Sequence, residues 1–300
     1  MHPVAPYQPM LAAPMSKAQI TDWHDWFIEE KFDGWRLIVQ VEDNGDVHAW
    51  TRPRRHAGSD GKTMAYHELA EHLKPQLALL PVGVYDGELL GGDTSTDVSR
   101  TDLVHTRTFV IFDVLMMRDA STLHDYGMVS TPYEQRRALL DELALVVRRP
   151  SNGMTHVRIA EAKRVTREED VLNFVHEVWH RGGEGAILKR ASSRYFPGKR
   201  RDAFVKIKKL NTAVLTVVGF EETRGTVLNR GQYATVILED ARGERTSVKT
   251  KDDLELARLN AHTGTTGTHP ALGRKLRIEY QDWTPKGGYR HPRWDRWEDE

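Results

Sequence analysis

The chain contains no cysteine. That excludes disulfides, thiolate metal sites and cysteine nucleophiles, and it fits a reducing compartment. It has no run of ~18 apolar residues with which a helix could span a membrane. Its start, MHPVAPYQPM, has no basic segment leading into an apolar one, so it does not read as a secretory signal. Excess charge is missing too: 43 Lys and Arg face 43 Asp and Glu, so the overall basicity common among nucleic-acid binders is absent. Neither an internal repeat nor a low-complexity segment is visible.

What remains is a protein of 300 residues, 39% hydrophobic and 29% charged. At ~100–200 residues per domain this is one large domain or two smaller ones, each able to bury a core. A cytoplasmic protein without membrane association is expected. The charge is unevenly spread. Arg52, Arg54 and Arg55 cluster, as do Lys199, Arg200, Arg201, Lys206, Lys208 and Lys209, while residues 298–300 are acidic. Such local patches bind phosphate even on a neutral protein; equally, they can be solvated surface.

From Trp35 the pattern is β. LIVQV and VHAW flank Asn44-Gly45, a strong hairpin signal. A helix is expected near residues 62–73, followed by β-like runs over 82–90 and 109–117. Two helices have readable starts: Thr131-Pro132-Tyr133-Glu134 and Thr166 to Glu169 both read as capping boxes, and Gly182-Gly183 should stop the second helix. AILK (186–189) and FVKIKK (204–209) read as strands. Beyond Lys209 come short strands separated by Gly-rich turns, with one helical stretch near 252–260, the texture of a small closed barrel such as an OB-fold. The expectation is an α+β domain with antiparallel sheets and flanking helices over 1–209, then a β-barrel over 210–300.

The chemistry centres on Glu29-Glu30-Lys31-Phe32-Asp33-Gly34-Trp35-Arg36. In an extended segment Glu29, Lys31 and Asp33 share one face. A lysine among carboxylates is a salt-bridged surface residue, an amine nucleophile or a phosphate-binding cation. Free lysine has a pKa of ~10.4, so fewer than ~1 in 1000 is neutral at pH 7. Acidic neighbours alone oppose loss of the proton; a bound metal and nearby arginines favour it.

Lys-x-Asp-Gly alone is weak. Its weight comes from an ordered series of further motifs: Thr51-Arg52, Asp86-Gly87-Glu88-Leu89, Phe109 to Asp113, Glu184 to Lys189, and Lys206-Ile207-Lys208. With the opening Pro9-Met10-Leu11-Ala12, this series resembles the covalent nucleotidyltransferases, and among them the ATP-dependent DNA ligases of minimal bacterial or bacteriophage type. Thr284-Pro285-Lys286-Gly287 and Arg290-His291-Pro292-Arg293-Trp294 are similar to that family's OB-domain motif, so the resemblance runs nearly the whole chain.

The resemblance implies an adenylation domain followed by an OB-fold domain. Lys31 would take AMP from ATP, pass it to the 5′-phosphate of a nick in duplex DNA, and let the 3′-hydroxyl displace it. Glu29 would accept from the adenine amino group and Phe112 would stack on the base. Glu88 and Glu184 would hold Mg²⁺, with Mn²⁺ able to substitute, Glu88 also serving the ribose hydroxyl. Asp33 and Asp86 would help organise the site. Arg36, Arg52, Lys189, Lys206 and Lys208 would surround the phosphates, and Arg290 and Arg293 would orient the pyrophosphate. The last motif departs from the family: it ends Asp295-Arg296-Trp297-Glu298-Asp299-Glu300 without the usual Asp-Lys pair, which leaves the choice among Arg290, Arg293 and Arg296 open. A monomer in a bacterial cell or phage-infected host is implied, with residues 91–106 as a loop that orders around DNA. The competing readings are an mRNA-capping guanylyltransferase, an RNA ligase, and a non-catalytic nick-binding protein; the last should have lost Lys31, Glu88 or Glu184, and all three are present.

Overall fold

The computed structural model describes residues 5–15, 18, 20–52, 64–66, 69–91, 98, 101–119, 125–149, 153–222, 233–249, 253–261, 269–284 and 287–298. The chain divides into two compact units, Met1–Ile207 and Lys208–Glu300.

The elements of the first unit are β1 (Leu11–Pro14), β2 (Trp26–Glu30), β3 (Trp35–Val41), β4 (Val47–Thr51), β5 (Met64–Ala65), α1 (Lys74–Leu77), β6 (Gly83–Leu90), β7 (Thr108–Arg118), β8 (Asp125–Gly127), α2 (Tyr133–Val147), β9 (Val157–Ile159), β10 (Ala162–Arg164), α3 (Glu168–His180), β11 (Gly185–Arg190) and β12 (Arg200–Lys208). They form two sheets. One runs β1-β12-β11-β2-β10; the other runs β5-β4-β3-β6-β7-β8, with β9 added parallel to β7.

The side chains explain the layering. Along β3, Leu37, Val39 and Val41 face a core shared with Leu73 and Leu77 on the α1 side and Leu140, Leu143 and Val147 of α2. Ile38 points the other way and joins Trp50, Val84 and Leu115 against Ile187 and Phe204 of the opposite sheet. Both faces of this strand are covered, so it reads as an almost continuous apolar run rather than an alternating one. The outer face of the other sheet, with Ile28, Ala186, Leu188 and Val205, packs on Val171 and Val175 of α3. The two sheets therefore meet face to face, and side chains of β2, β3, β6, β7 and β11 that point inward share one interior.

Three local expectations are corrected. The helix expected near 62–73 is a strand at Met64–Ala65 and a single helical turn at Lys74–Leu77. Pro75 stands in that turn's first positions, where its missing N–H costs nothing, whereas a helix already running could not cross it. The capping box at Thr131 does not form: the N-cap is Pro132, without a side-chain cap. The first amides of α2 instead donate to backbone, Tyr133 to Ser193 O and Glu134 to Ala191 O, so the free donors of the helix end are met by the β11–β12 connection. In α3 the acceptor is Asp170 rather than Glu169; its carboxylate takes the amides of Thr166 and Arg167 and the Thr166 hydroxyl. Gly182 and Gly183 do end α3, donating to Trp179 O and Val178 O in the paired pattern of a Schellman motif. Half of the segment 91–106 lies outside the described residues; Thr101–Thr106 within it is a 3-10 helix.

The second unit holds β13 (Asn211–Glu222), β14 (Tyr233–Glu239), β15 (Arg245–Lys249), α4 (Asp253–Asn260), β16 (Lys275–Tyr280), β17 (Asp282–Trp283), β18 (Tyr289–Arg290) and β19 (Arg293–Trp297). Five strands run in the order β15-β14-β13-β16-β19 around a core of Leu215, Val217, Val236, Leu238, Leu276 and Ile278. The edge strands β15 and β19 approach each other without a ladder between them among the described residues. This is a partly open OB-type barrel rather than a fully closed one. No described helix is long and apolar enough to cross a membrane.

Candidate active site

Lys31 follows the end of β2, and its amide donates to Gly185 O at the head of β11. The ladder between these strands, with Glu30 opposite Ala186 and Glu29 opposite Ile187, fixes Lys31 beside Glu184. Its Nζ donates to Glu184 Oε2 at 2.5 Å and to Phe32 O at 3.3 Å. The Lys31 side chain keeps 21% of its surface exposed, enough to meet a ligand.

Gly34 then allows the second sheet to close on the lysine loop. A Cβ there would lie 2.3 Å from Leu89 O and 2.9 Å from Glu88 Cγ. Gly87, on β6, permits the same close approach on its far side, where a Cβ would meet Phe109 and Val110 O at 2.5 Å. These glycines bring β6 and Glu88 against the lysine. Half-buried Glu88 sits within the fields of Arg36, Lys31 and Arg52; burial nonetheless pushes its carboxyl up to about 7.

Arg36 lies directly across from Glu88 in the β3–β6 ladder but reaches diagonally to Asp86, with Nε and Nη2 donating to its two oxygens at 2.5 and 2.6 Å. Asp86, fully buried, also accepts from the Tyr195 hydroxyl at 2.6 Å. Burial works against the Arg36 charge, and Asp86 more than reverses this, holding the guanidinium above its ordinary value. Arg36 Cζ lies 4.5 Å from the centre of the Phe112 ring, in the range of a cation–π contact. Arg52, at the end of β4, shares the electrostatic surroundings of Arg36, Glu88, Asp86 and Arg200.

Deeper between the sheets, Glu29 and Lys189 form an ion pair at 2.8 Å, with 3% and 6% of their side chains exposed. Lys189 Nζ also donates to Phe112 O at 2.6 Å. Burial raises the Glu29 carboxyl above its ordinary range, and Lys189 opposes that shift. Phe112 packs with Val110 and Ala160, with Phe32 and Leu90 beside them. A groove of about 680 Å³ opens alongside, lined by Glu30 and Phe32 on either side of Lys31, by Val110 and Ala160, and by a basic rim that includes Arg158 and Lys163. Its size suits a nucleotide.

The structure thus brings together Lys31, Glu184, Glu88, Arg36 and Arg52, with Glu29, Lys189 and Phe112 behind them. Arg36 and Lys189, expected around phosphates, are here engaged with Asp86 and Glu29. Lys206 stands on β12 opposite Pro14. Lys208 belongs to the second unit, where it donates to Gln281 Oε1 at 3.3 Å. Arg290 on β18 and Arg293 on β19 are also in the second unit, and Pro285 and Lys286 lie outside the described residues. Glu88 and Glu184 supply hard oxygen donors near Lys31. A three-ligand group of His and carboxylates occurs elsewhere, at Glu42, Asp46 and His48.

Sequence reasoning missed the support provided by α2. Arg136 pairs bidentately with Asp113, the neighbour of Phe112, Arg137 donates to Ala160 O at 2.9 Å, and the Tyr133 hydroxyl donates to Glu29 Oε2 at 3.3 Å. A signal existed: the apolar stripe Leu140, Leu143, Ala144 and Val147, run backwards at helical spacing, lands on these three residues.

Residues 9–208 match the family model described as the ATP dependent DNA ligase domain. The multifunctional non-homologous end joining DNA repair protein LigD of Mycobacterium tuberculosis is 28% identical over 303 residues, 90% of this chain and 35% of that protein. A probable DNA ligase of Rhodococcus jostii is 31% identical over 231 residues, covering 72% of this chain and 41% of that one. The chain therefore spans well under half the length of these relatives. Among solved structures, a Lig E DNA ligase superposes with a TM-score of 0.69 at 17% identity, covering 97% of this chain and 99% of that one; the likeness is one of fold. With its motif series and two-sheet fold, the chain belongs to the ATP-dependent DNA ligase domain family.

Proposed function

We propose that this chain seals nicks in duplex DNA with ATP, through a covalent Lys31–AMP. The observation that carries this reading is the setting of Lys31: an accessible amine hydrogen-bonded to one carboxylate, Glu184, and within the field of a second, Glu88, with its chain neighbours Glu30 and Phe32 lining a groove of nucleotide size.

The Lys31 amine attacks the α-phosphorus of ATP, forming the N–P bond as the bond to the pyrophosphate oxygen breaks. Glu184 orients the amine. Glu29 accepts from the amino group of the base, and Phe112 offers it an aromatic face. Arg36 and Arg52 face the phosphate region, and Arg36, held by Asp86, needs no reordering to present its charge. Glu88 and Glu184 fit a divalent cation such as Mg²⁺ or Mn²⁺, which when bound neutralises phosphate charge; a carboxyl raised to about 7 among protein cations has room for a stronger one. AMP then passes to the 5′-phosphate, and the 3′-hydroxyl displaces it. Lys206 and Lys208 supply further phosphate contacts, Arg290 and Arg293 orient the pyrophosphate in the first step, and the segment 91–106 contacts DNA. The working form is a monomer in the cytoplasm.

The test is a singly nicked duplex with a labelled 5′-phosphate, incubated with Mg²⁺ and ATP beside a Lys31→Ala control. A longer labelled strand with the native chain only is the expected result. A chain that forms neither adenylylated protein nor sealed product refutes the reading.

A further inference from the structure

Glu29 is held more tightly than contact with a base requires. It is backbone-paired on both sides, opposite Ile187 in β11 and Ala162 in β10, so its Cα cannot drift. Each carboxylate oxygen then has a separate partner: Oε1 the Lys189 ammonium at 2.8 Å, Oε2 the Tyr133 hydroxyl at 3.3 Å. Tyr133 is itself fixed. Its amide donates to Ser193 O, its ring meets Phe27 edge-on at 5.5 Å, and the Lys189 ammonium lies 4.7 Å from the ring centre. Burial, reinforced by the Glu29 charge, holds the Tyr133 hydroxyl well above its ordinary value, so it remains a donor.

We propose that Tyr133 is a positioning residue for base selection, holding the Glu29 carboxylate in the orientation that accepts a 6-amino group and so setting the preference for 6-aminopurine over 6-oxopurine triphosphates. The proposal rests on the reading of Glu29 as the base contact.

The selectivity follows from hydrogen-bond chemistry. An ionised carboxylate only accepts, which suits the amino group of adenine and repels a 6-oxo group; a protonated carboxyl can donate to the oxo group, and a carboxylate turned away no longer repels it. Sites that leave a buried polar group unpaired against the wrong ligand discriminate strongly. The charged and titratable groups facing Glu29 are Lys189 from β11, Tyr133 and Arg137 from α2, and Asp113 from β7. Among them, Tyr133 is the neutral donor on Oε2, the oxygen that Lys189 does not bind. Its loss leaves that oxygen unpaired in a buried site and frees the carboxyl to turn or take a proton. The remainder of the α2 start is built alike, with Arg137 holding Ala160 and Arg136 holding Asp113, so the first turns of one helix brace Glu29, Ala160 and Asp113 together.

The experiment compares native protein, Tyr133→Phe and Glu29→Gln in single-turnover labelling of Lys31 with ATP and with inosine triphosphate. For Tyr133→Phe the ratio of ATP to inosine triphosphate kcat/KM should fall about tenfold, through a higher KM for ATP, with kcat within about twofold. Thermal unfolding, run in parallel, identifies any general loss of structure, which would reduce labelling by both nucleotides alike. An unchanged ratio, whether or not total activity falls, overturns the proposal. If Glu29→Gln collapses the ratio while Tyr133→Phe does not, Tyr133 alone is excluded; if Glu29→Gln also leaves it unchanged, Glu29 is not the base contact and the underlying reading fails.

Discussion

Replacing Glu88 with glutamine should make the ligand-free protein more stable while destroying its chemistry. Burial lifts the Glu88 carboxyl from 4.5 to about 7, against the attraction of Arg36, Lys31 and Arg52. The folded state therefore keeps a proton that the unfolded chain releases, and stability falls as pH rises from 4.5 towards 7 and stays low above it. A shift of that size corresponds to about 3 kcal/mol against the ionised form, and partial solvent access reduces this to about 2 kcal/mol. Glutamine carries no charge, so the Glu88→Gln variant escapes this cost at alkaline pH and gains almost nothing near about pH 4.5. For a unit of 207 residues the gain is about 4–8 °C in Tm. Differential scanning calorimetry of metal-free, nucleotide-free protein at about pH 8.5 and about pH 4.5 reads it. A variant no more stable than the native protein at the higher pH, or stabilised equally at both, refutes the assignment of a proton to Glu88. Lys31 labelling should fall by about a hundredfold or more in the same variant.

Asp86→Asn breaks the buried bidentate pair with Arg36 and should cost about 3–5 kcal/mol in urea unfolding; a cost below about 1 kcal/mol would mean that water reaches Arg36. Gly34→Ala drives a methyl group into Leu89 O, so Lys31 labelling should fall at least tenfold, by about the effect of a small misplacement of reacting groups; near-native labelling would show that the loop adapts. Lys31→Ala should abolish labelling and sealing from ATP yet still close a nick already bearing AMP on its 5′-phosphate, and failure on that substrate would assign Lys31 a role in the last step as well.

Strand content was legible wherever pattern and turn chemistry agreed. Asn44-Gly45 marked a hairpin, and Gly45 adopts the left-handed backbone such a turn demands (φ 83°). The covered strands β3 and β7 read as apolar runs, and the ordered motifs pointed to a family whose fold the chain adopts. Less legible were features fixed by distant backbone. The start of α2 is capped by Ala191 and Ser193, nearly 60 residues further along, where local rules favoured Thr131. The partners of the charged site residues were hidden for the same reason. The sequence does not show that Asp86 holds Arg36 until β6 sets it diagonally opposite, nor that Glu29 holds Lys189 until β2 is set beside it. Pattern names the face on which a residue lies; only the register of neighbouring strands names its partner.

That register has a consequence for how the molecule acquires its form. The sheet containing β3, β4, β6 and β7 is drawn largely from consecutive segments between Trp35 and Arg118, and its pairings close short loops. The sheet containing β2 draws its strands from residues 11–14, 26–30, 162–164, 185–190 and 200–208, with β1 parallel to β12. Closing loops of well over a hundred residues costs entropy that only late contacts repay. The meander can assemble while the chain is still emerging from the ribosome, but the sheet that aligns Lys31 with Glu184 cannot be completed until β11 and β12 have been synthesised. Pulse-labelling hydrogen exchange during refolding should show amides of β3 and β6 protected before those of β2 and β12. An adenylylatable lysine is then a late product of folding, absent from truncated or stalled chains that already hold half the core.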